Sequence, residues 1–168
     1  YLAIAPAMFD RAKRHYETGY TQPEINAGIE IMKQLDWNNA MLDVQAAVGH
    51  AKPAGKVGIV GYCWGGAVAW LAAARVPGLA AAVCYYGGAI PNFKDEKPKC
   101  PVMLHFGETD QSIPLDKAKE VAKAHPEATT HYYPAGHGFN CDQRGSWHEP
   151  SAKQARERSL AFFRKHVG

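Results

Sequence analysis

No charge of either sign gathers anywhere in this 168-residue chain. Nineteen Lys and Arg stand against sixteen Asp and Glu, the net charge is +3, and no basic block stands out. A nucleic acid or an anionic membrane surface would find no electrostatic footprint, so neither is expected as a partner. No apolar stretch approaches the length that spans a bilayer. A charged start with an apolar run and a cleavage motif is not visible either, so no secretory signal is read. Cysteine is sparse: Cys63, Cys84, Cys100 and Cys141 are scattered and form no C-x-x-C pair. The expectation is free thiols in a reducing cytoplasm, against the alternative of disulfides in a secreted protein. Repeats, low-complexity segments and a Pro/Gly-rich linker are missing too, which points to one domain over residues 1–168. An initiator methionine is lacking, and Tyr1–Ala5 (Y-L-A-I-A) already reads as a buried strand. A domain that opens mid-strand is expected to be truncated at its N-terminus.

What is present is ordinary for a soluble globular domain: 46% apolar and 21% charged residues. Val57–Tyr62 is a short apolar run suited to a strand buried on both faces. Trp64–Arg75 follows as an Ala-rich helix that stops near Pro77-Gly78. Leu79–Tyr86 and Pro101–Phe106 are further buried strands, and Thr129–Tyr133 is a β-rich run ending at Pro134. Leu115–His125 reads as a helix, Asn39–Lys52 is amphipathic, and Ser151 is placed as the N-cap of a last helix. Strands alternating with helices predict an α/β fold: a mostly parallel sheet flanked by helices, with chemistry in the loops at the strands' carboxyl ends.

Three such loops carry reactive side chains. Gly61-Tyr62-Cys63-Trp64-Gly65 has the form G-x-C-x-G between a strand and a helix. That turn lifts a nucleophile above the sheet, sets the next backbone N–H (Trp64) where an oxyanion forms, and lets the helix N-terminus favour a thiolate. The loop after the third strand offers Asp110 to orient a histidine, with Glu108 weaker and Asp116 read as helix-start decoration. The loop after the fourth holds His137 between glycines, free to act as base and then acid. Nucleophile, acid and histidine follow one another in the order of α/β-hydrolases. Among the other histidines, His105 reads as a satisfied core residue. His15, His50, His125, His131 and His166 read as surface or helix-face residues, and His148 has no evident partner.

The runs G-K-V-G-I-V-G-Y-C-W-G-G (55–66), F-G-E-T-D (106–110) and Y-P-A-G-H-G-F (133–139) resemble the dienelactone hydrolase family. The resemblance covers nearly the whole chain. It implies an α/β-hydrolase fold and cleavage of an enol-lactone or related small ester by a Cys63–His137–Asp110 triad. It also implies no metal or cofactor, a cytoplasmic location, and a monomer or homodimer. By the same resemblance Trp64 is an oxyanion-hole donor, and Arg11, Tyr86 and Phe139 bind substrate. Arg11 falls where the family binds the substrate carboxylate; the alternative is a plain loop charge. The chain departs from the family in two places. Cys141 stands where a second carboxylate-binding arginine is usual, with Arg144 nearby as a substitute, and the family's opening strands, with their second oxyanion N–H, are absent. Three other readings remain open at this point: a cysteine acyltransferase, a binding or scaffold protein that keeps the pocket, and a metal site at His137 and Cys141.

Overall fold

Apolar and β-branched runs too short for amphipathic helices have to bury themselves as strands. The computed structural model of the chain, which describes residues 1–168, contains four. They are β1 (Val57–Tyr62), β2 (Leu79–Tyr85), β3 (Val102–Gly107) and β4 (Thr129–Tyr133), all parallel and ordered β1-β2-β3-β4. The helices in chain order are α1 (Gln22–Met32), α2 (Trp37–Ala51), α3 (Trp64–Arg75), α4 (Leu115–Ala124) and α5 (Glu149–His166). Parallel neighbours require crossovers. Helix α3 joins β1 to β2 and α4 joins β3 to β4, whereas β2 reaches β3 through a loop with one short turn at Ile90–Phe93. The result is the layered α/β sheet that the pattern predicted.

Helix α3 shows why the sequence reads as it does. Every residue from Gly66 to Ala74 is buried, because the helix lies on β1 and β2 with α2 packed over its other side. A helix covered all round is apolar all round. Helix α2 presents Ala40, Met41, Val44 and Val48 to it from an otherwise polar surface. On the opposite side α5 lies on β2 and β3 and brings a polar group into the core. Ser159 Oγ donates to the Ala155 carbonyl at 2.8 Å, so it can only accept from Tyr85 (2.7 Å) and from His105 Nε2 (3.0 Å). His105 Nδ1 is then unprotonated and accepts from the Tyr133 hydroxyl at 2.8 Å, which in turn accepts from Arg158 at 3.1 Å. The expectation of a satisfied core histidine is met.

Several expectations need correction. Tyr1–Ala5 is exposed and belongs to no strand; no neighbouring strand offers it peptide groups to pair with. Strand β1 is not covered on both faces. Gly58, Val60 and Tyr62 share one face, and α5 packs closely on Gly58 through Phe163 and Val167 but leaves the other two half covered. Val60 is therefore 44% exposed and Tyr62 47%. Helix α5 begins at Glu149 with His148 in the N-cap position, and Ser151 instead pairs with His148 Nδ1 at 2.6 Å, supplying the partner that His148 lacked in sequence. His125 is buried rather than exposed and bonds the Lys94 carbonyl. Helix α1 was not anticipated. Its apolar residues form no buried face, and it is started by a Thr21/Glu24 capping box.

Burial, reinforced by the positive charges of His131 and Arg158, lowers His105 to about 3. The folded chain therefore refuses a proton that the unfolded chain accepts near pH 6.5. Stability should fall as the pH drops from about 6.5 toward 3, by up to about 1.4 kcal/mol per pH unit from this residue. Urea midpoints measured from pH 7 to pH 4 check this. His105→Asn should be less stable at pH 7 and show a flatter decline.

Candidate active site

Three loops at the carboxyl end of the sheet bring together groups separated by up to 74 residues. Cys63 ends β1 and caps α3 with φ 55 and ψ −120, a left-handed conformation that a β-substituted residue adopts only under constraint. The constraint is crowding. A Cβ at Gly61 would run into the Gly65 carbonyl, and one at Gly66 into the Tyr85 carbonyl. Gly65 itself meets nothing, so Gly61 and Gly66 are the glycines that the close turn requires. The Cys63 N–H donates to the Tyr85 carbonyl at 3.0 Å, which fixes the turn to β2.

Asp110 lies just past β3, with its side chain fully buried. One carboxylate oxygen accepts the backbone N–H groups of Ser112 (2.7 Å) and Ile113 (3.1 Å). The other accepts His137 Nδ1–H at 2.8 Å, and His137 Nε2 stands 3.1 Å from Cys63 Sγ. The loops after β3 and β4 are tied by Glu108 N–H to the Tyr133 carbonyl and Thr109 N–H to the Ala135 carbonyl. Gly107 leaves room for that crossing, since a Cβ there would strike the Ala135 carbonyl. Cys63, Asp110 and His137 are thus brought together as expected. The two N–H groups that hold Asp110 could not have been picked out by residue type, because they are backbone.

The electrostatics follow from this line of bonds. Burial alone would raise the Cys63 thiol, but four contributions outweigh it and leave the thiol below its ordinary value. These are the His137 hydrogen bond, the His137 charge, the Trp64 backbone N–H and the charge of Arg144. Burial disfavours the His137 cation too, yet the bonds to Asp110 and Cys63 and their charges raise it to about 9. Both shifts favour the ion pair: the thiol ionises more readily and the imidazole holds its proton more tightly than either would alone.

The remaining candidates divide. Trp64 presents its N–H to Cys63, and its ring stacks on Trp37 at 5.6 Å. Tyr86 borders the site, edge-on to His137 at 5.2 Å. Phe139 is not a substrate contact. It is fully buried among Tyr85, Tyr86 and Tyr133 and anchors the His137 loop from beneath. Arg11 is not a free cation, since it forks onto both oxygens of Asp43 at 2.8 Å. It lines a groove of about 860 Å³ between residues 4–14 and α2, with Ile4, Pro6 and Ala47, and this groove does not include the triad. Arg144, by contrast, is half-buried and has no carboxylate partner, and its guanidinium lies against Gly138, beside His137. No group of three or more His, Cys, Asp or Glu side chains gathers in an arrangement that could hold a metal ion. No helix is long and apolar enough to cross a membrane.

The thiolate should be directly measurable. Iodoacetamide should alkylate Cys63 with a rate–pH midpoint clearly below 9, faster at pH 7 than the other three thiols. In His137→Ala the midpoint should rise to 9 or above, because the opposing burial remains.

Comparison with known proteins gives the following. The description "Dienelactone hydrolase family" matches residues 1–167. A Synechocystis protein named carboxymethylenebutenolidase is 30% identical over 99% of this chain, which spans 76% of that protein. The carboxymethylenebutenolidase of Pseudomonas putida is 32% identical over 97% of the chain and 73% of its own length. Among solved structures, a Klebsiella pneumoniae dienelactone hydrolase superposes with a TM-score of 0.80 at 30% identity, covering 96% of this chain and 74% of its own. A Pyrococcus furiosus esterase, at 16% identity and a TM-score of 0.63 over 76% of this chain and 62% of its own, shares the α/β-hydrolase fold.

Proposed function

Because this chain belongs to the dienelactone hydrolase family, a family of hydrolases, we propose that it cleaves a small ester or lactone through a thioester formed on Cys63. The observation that carries this reading is the unbroken line from Asp110 through His137 to Cys63, at 2.8 and 3.1 Å. The Cys63 thiolate attacks the carbonyl carbon, a C–S bond forms, and the π electrons move onto oxygen, where the Trp64 N–H stabilises the charge. The oxyanion collapses and the C–O bond breaks. The leaving oxygen takes the proton of His137 Nε2 and departs as an alcohol, or stays attached as a hydroxyl if the substrate was a lactone. Neutral His137 then takes a proton from water as the water attacks the thioester. Collapse releases the acid and restores the thiolate and the imidazolium. Asp110 holds the ring orientation throughout and keeps its charge.

The same reading assigns a substrate that carries a carboxylate. Arg144 supports this, being the unpaired cation whose charge reaches Cys63. Arg11, already matched by Asp43, does not.

A panel of esters and lactones with and without a carboxylate tests both parts. Cys63→Ala should lose at least about a thousandfold in kcat/KM on every substrate. Arg144→Gln should lose about ten- to a hundredfold on the anionic members alone, mainly through KM. Activity that survives Cys63→Ala would remove the thioester, and a wild type indifferent to substrate charge would remove the clamp.

A further inference from the structure

Tyr86 points the wrong way for its place in the chain. Successive side chains of a strand alternate between faces. Tyr85, the last residue of β2, faces α5 and bonds Ser159, so Tyr86 would be turned toward α3. Instead Tyr86 has φ 37, a left-handed conformation that bulky residues rarely adopt. Its ring consequently lies on the side of Tyr85. It stands 6.4 Å from Tyr62, 5.3 Å from Phe139 and 5.2 Å from the His137 ring, edge to face. Such strain costs conformational energy and persists where the surroundings over-determine it, characteristically at functional sites. Here the surroundings are its N–H bond to the His105 carbonyl at 2.8 Å and the tight seating of Gly87 on Gly66 and Ala67.

The phenol at the end of this ring has no hydrogen-bond partner. The residue is only 2% exposed, yet its hydroxyl is not among the sealed, unsatisfied polar atoms, so the tip keeps a sliver of exposure while the ring stays buried, with Cys63, Cys141 and Arg144 near enough to act on it. Burial holds the group well above the ordinary phenol range, and the negative charges it would face on Tyr62, Cys141 and Cys63 add to this. It is therefore a neutral O–H at any working pH. Packing alone does not explain the hydroxyl, because the adjoining ring, Phe139, fills the same cluster without one.

We propose that Tyr86 is a catalytic hydrogen-bond donor to the leaving-group oxygen, acting beside the proton that His137 delivers. The assignment rests on the thioester reading above. In acylation the leaving oxygen receives the electron pair of the breaking C–O bond within reach of His137 Nε2, which lies 3.1 Å from Sγ. Tyr86 is the aromatic ring beside the imidazole, 5.2 Å between centroids, and it senses the Cys63 charge. Its O–H stabilises the developing alkoxide and keeps its proton, while the Nε2 proton is the one transferred. The benefit grows with the basicity of the leaving alcohol.

The test is a series of esters of one acid with alkyl, phenyl and nitrophenyl leaving groups, with kcat/KM measured for wild type, Tyr86→Phe and Cys63→Ala. Tyr86→Phe keeps the ring and its packing. It should lose about ten- to a hundredfold on alkyl esters and less than about threefold on nitrophenyl esters. The plot of log kcat/KM against leaving-group pKa should steepen, and Cys63 alkylation by iodoacetamide should be unchanged. An equal loss on all three leaving groups, or none, overturns the role of Tyr86. Hydrolysis that persists in Cys63→Ala overturns the thioester reading, and this role with it.

Discussion

A carboxylate enclosed by protein must be matched on every side, and Asp110 sets much of this structure by that requirement. Its side chain is wholly buried, and it takes two N–H groups from its own loop and one from an imidazole. The first two fold residues 110–113 into a tight turn, and the third draws the β4 loop across the end of the sheet. Remove the carboxylate, and His137 has no reason to prefer one ring orientation. The sulfur would then lose the neighbour that lowers its pKa against its own burial. Asp110, His137 and Cys63 are one electrostatic unit, hydrogen-bonded in series so that charge on its members is matched despite burial.

The scaffold meets this demand with backbone contacts at closer than ordinary range. Gly61 and Gly66 let β1 and α3 close around Cys63, and Gly107 lets the two loops cross. Phe139, enclosed by Tyr85, Tyr86 and Tyr133, holds the His137 loop by packing rather than by touching a ligand. Two strained non-glycine residues, Cys63 and Tyr86, lie directly after the neighbouring strands β1 and β2. Strain is concentrated where the sheet gives way to chemistry.

How much of this was legible in the sequence depends on the kind of signal. The strands, α3 and the three reactive residues could be read because period and chain order are local or ordinal properties. Val57–Tyr62 was a strand in either reading, but its apolar composition could not show that Val60 and Tyr62 would stay half exposed on the face that α5 packs against. Tyr1–Ala5 has the composition of a strand and lacks the partner that would make it one. Arg11 and Arg144 look equivalent as letters. Only three dimensions show that Asp43, thirty-two positions away, neutralises the first and leaves the second unmatched. The resemblance made Phe139 a substrate contact, and nothing in the letters shows that its ring is sealed among three tyrosines.

The hydrogen-bonded row inside the sheet has a direction as well as a stabilising role. It starts at Arg158, whose guanidinium stays charged, passes through Tyr133, His105 and Ser159, and stops at the Ala155 carbonyl, which cannot accept a proton outright. Every hydrogen in it is assigned, and reversing any one would set two donors or two lone pairs face to face. None of its bonds reaches His137, whose ring is bonded to Asp110 and Cys63, so the row braces the core without touching the loops at the sheet's carboxyl end.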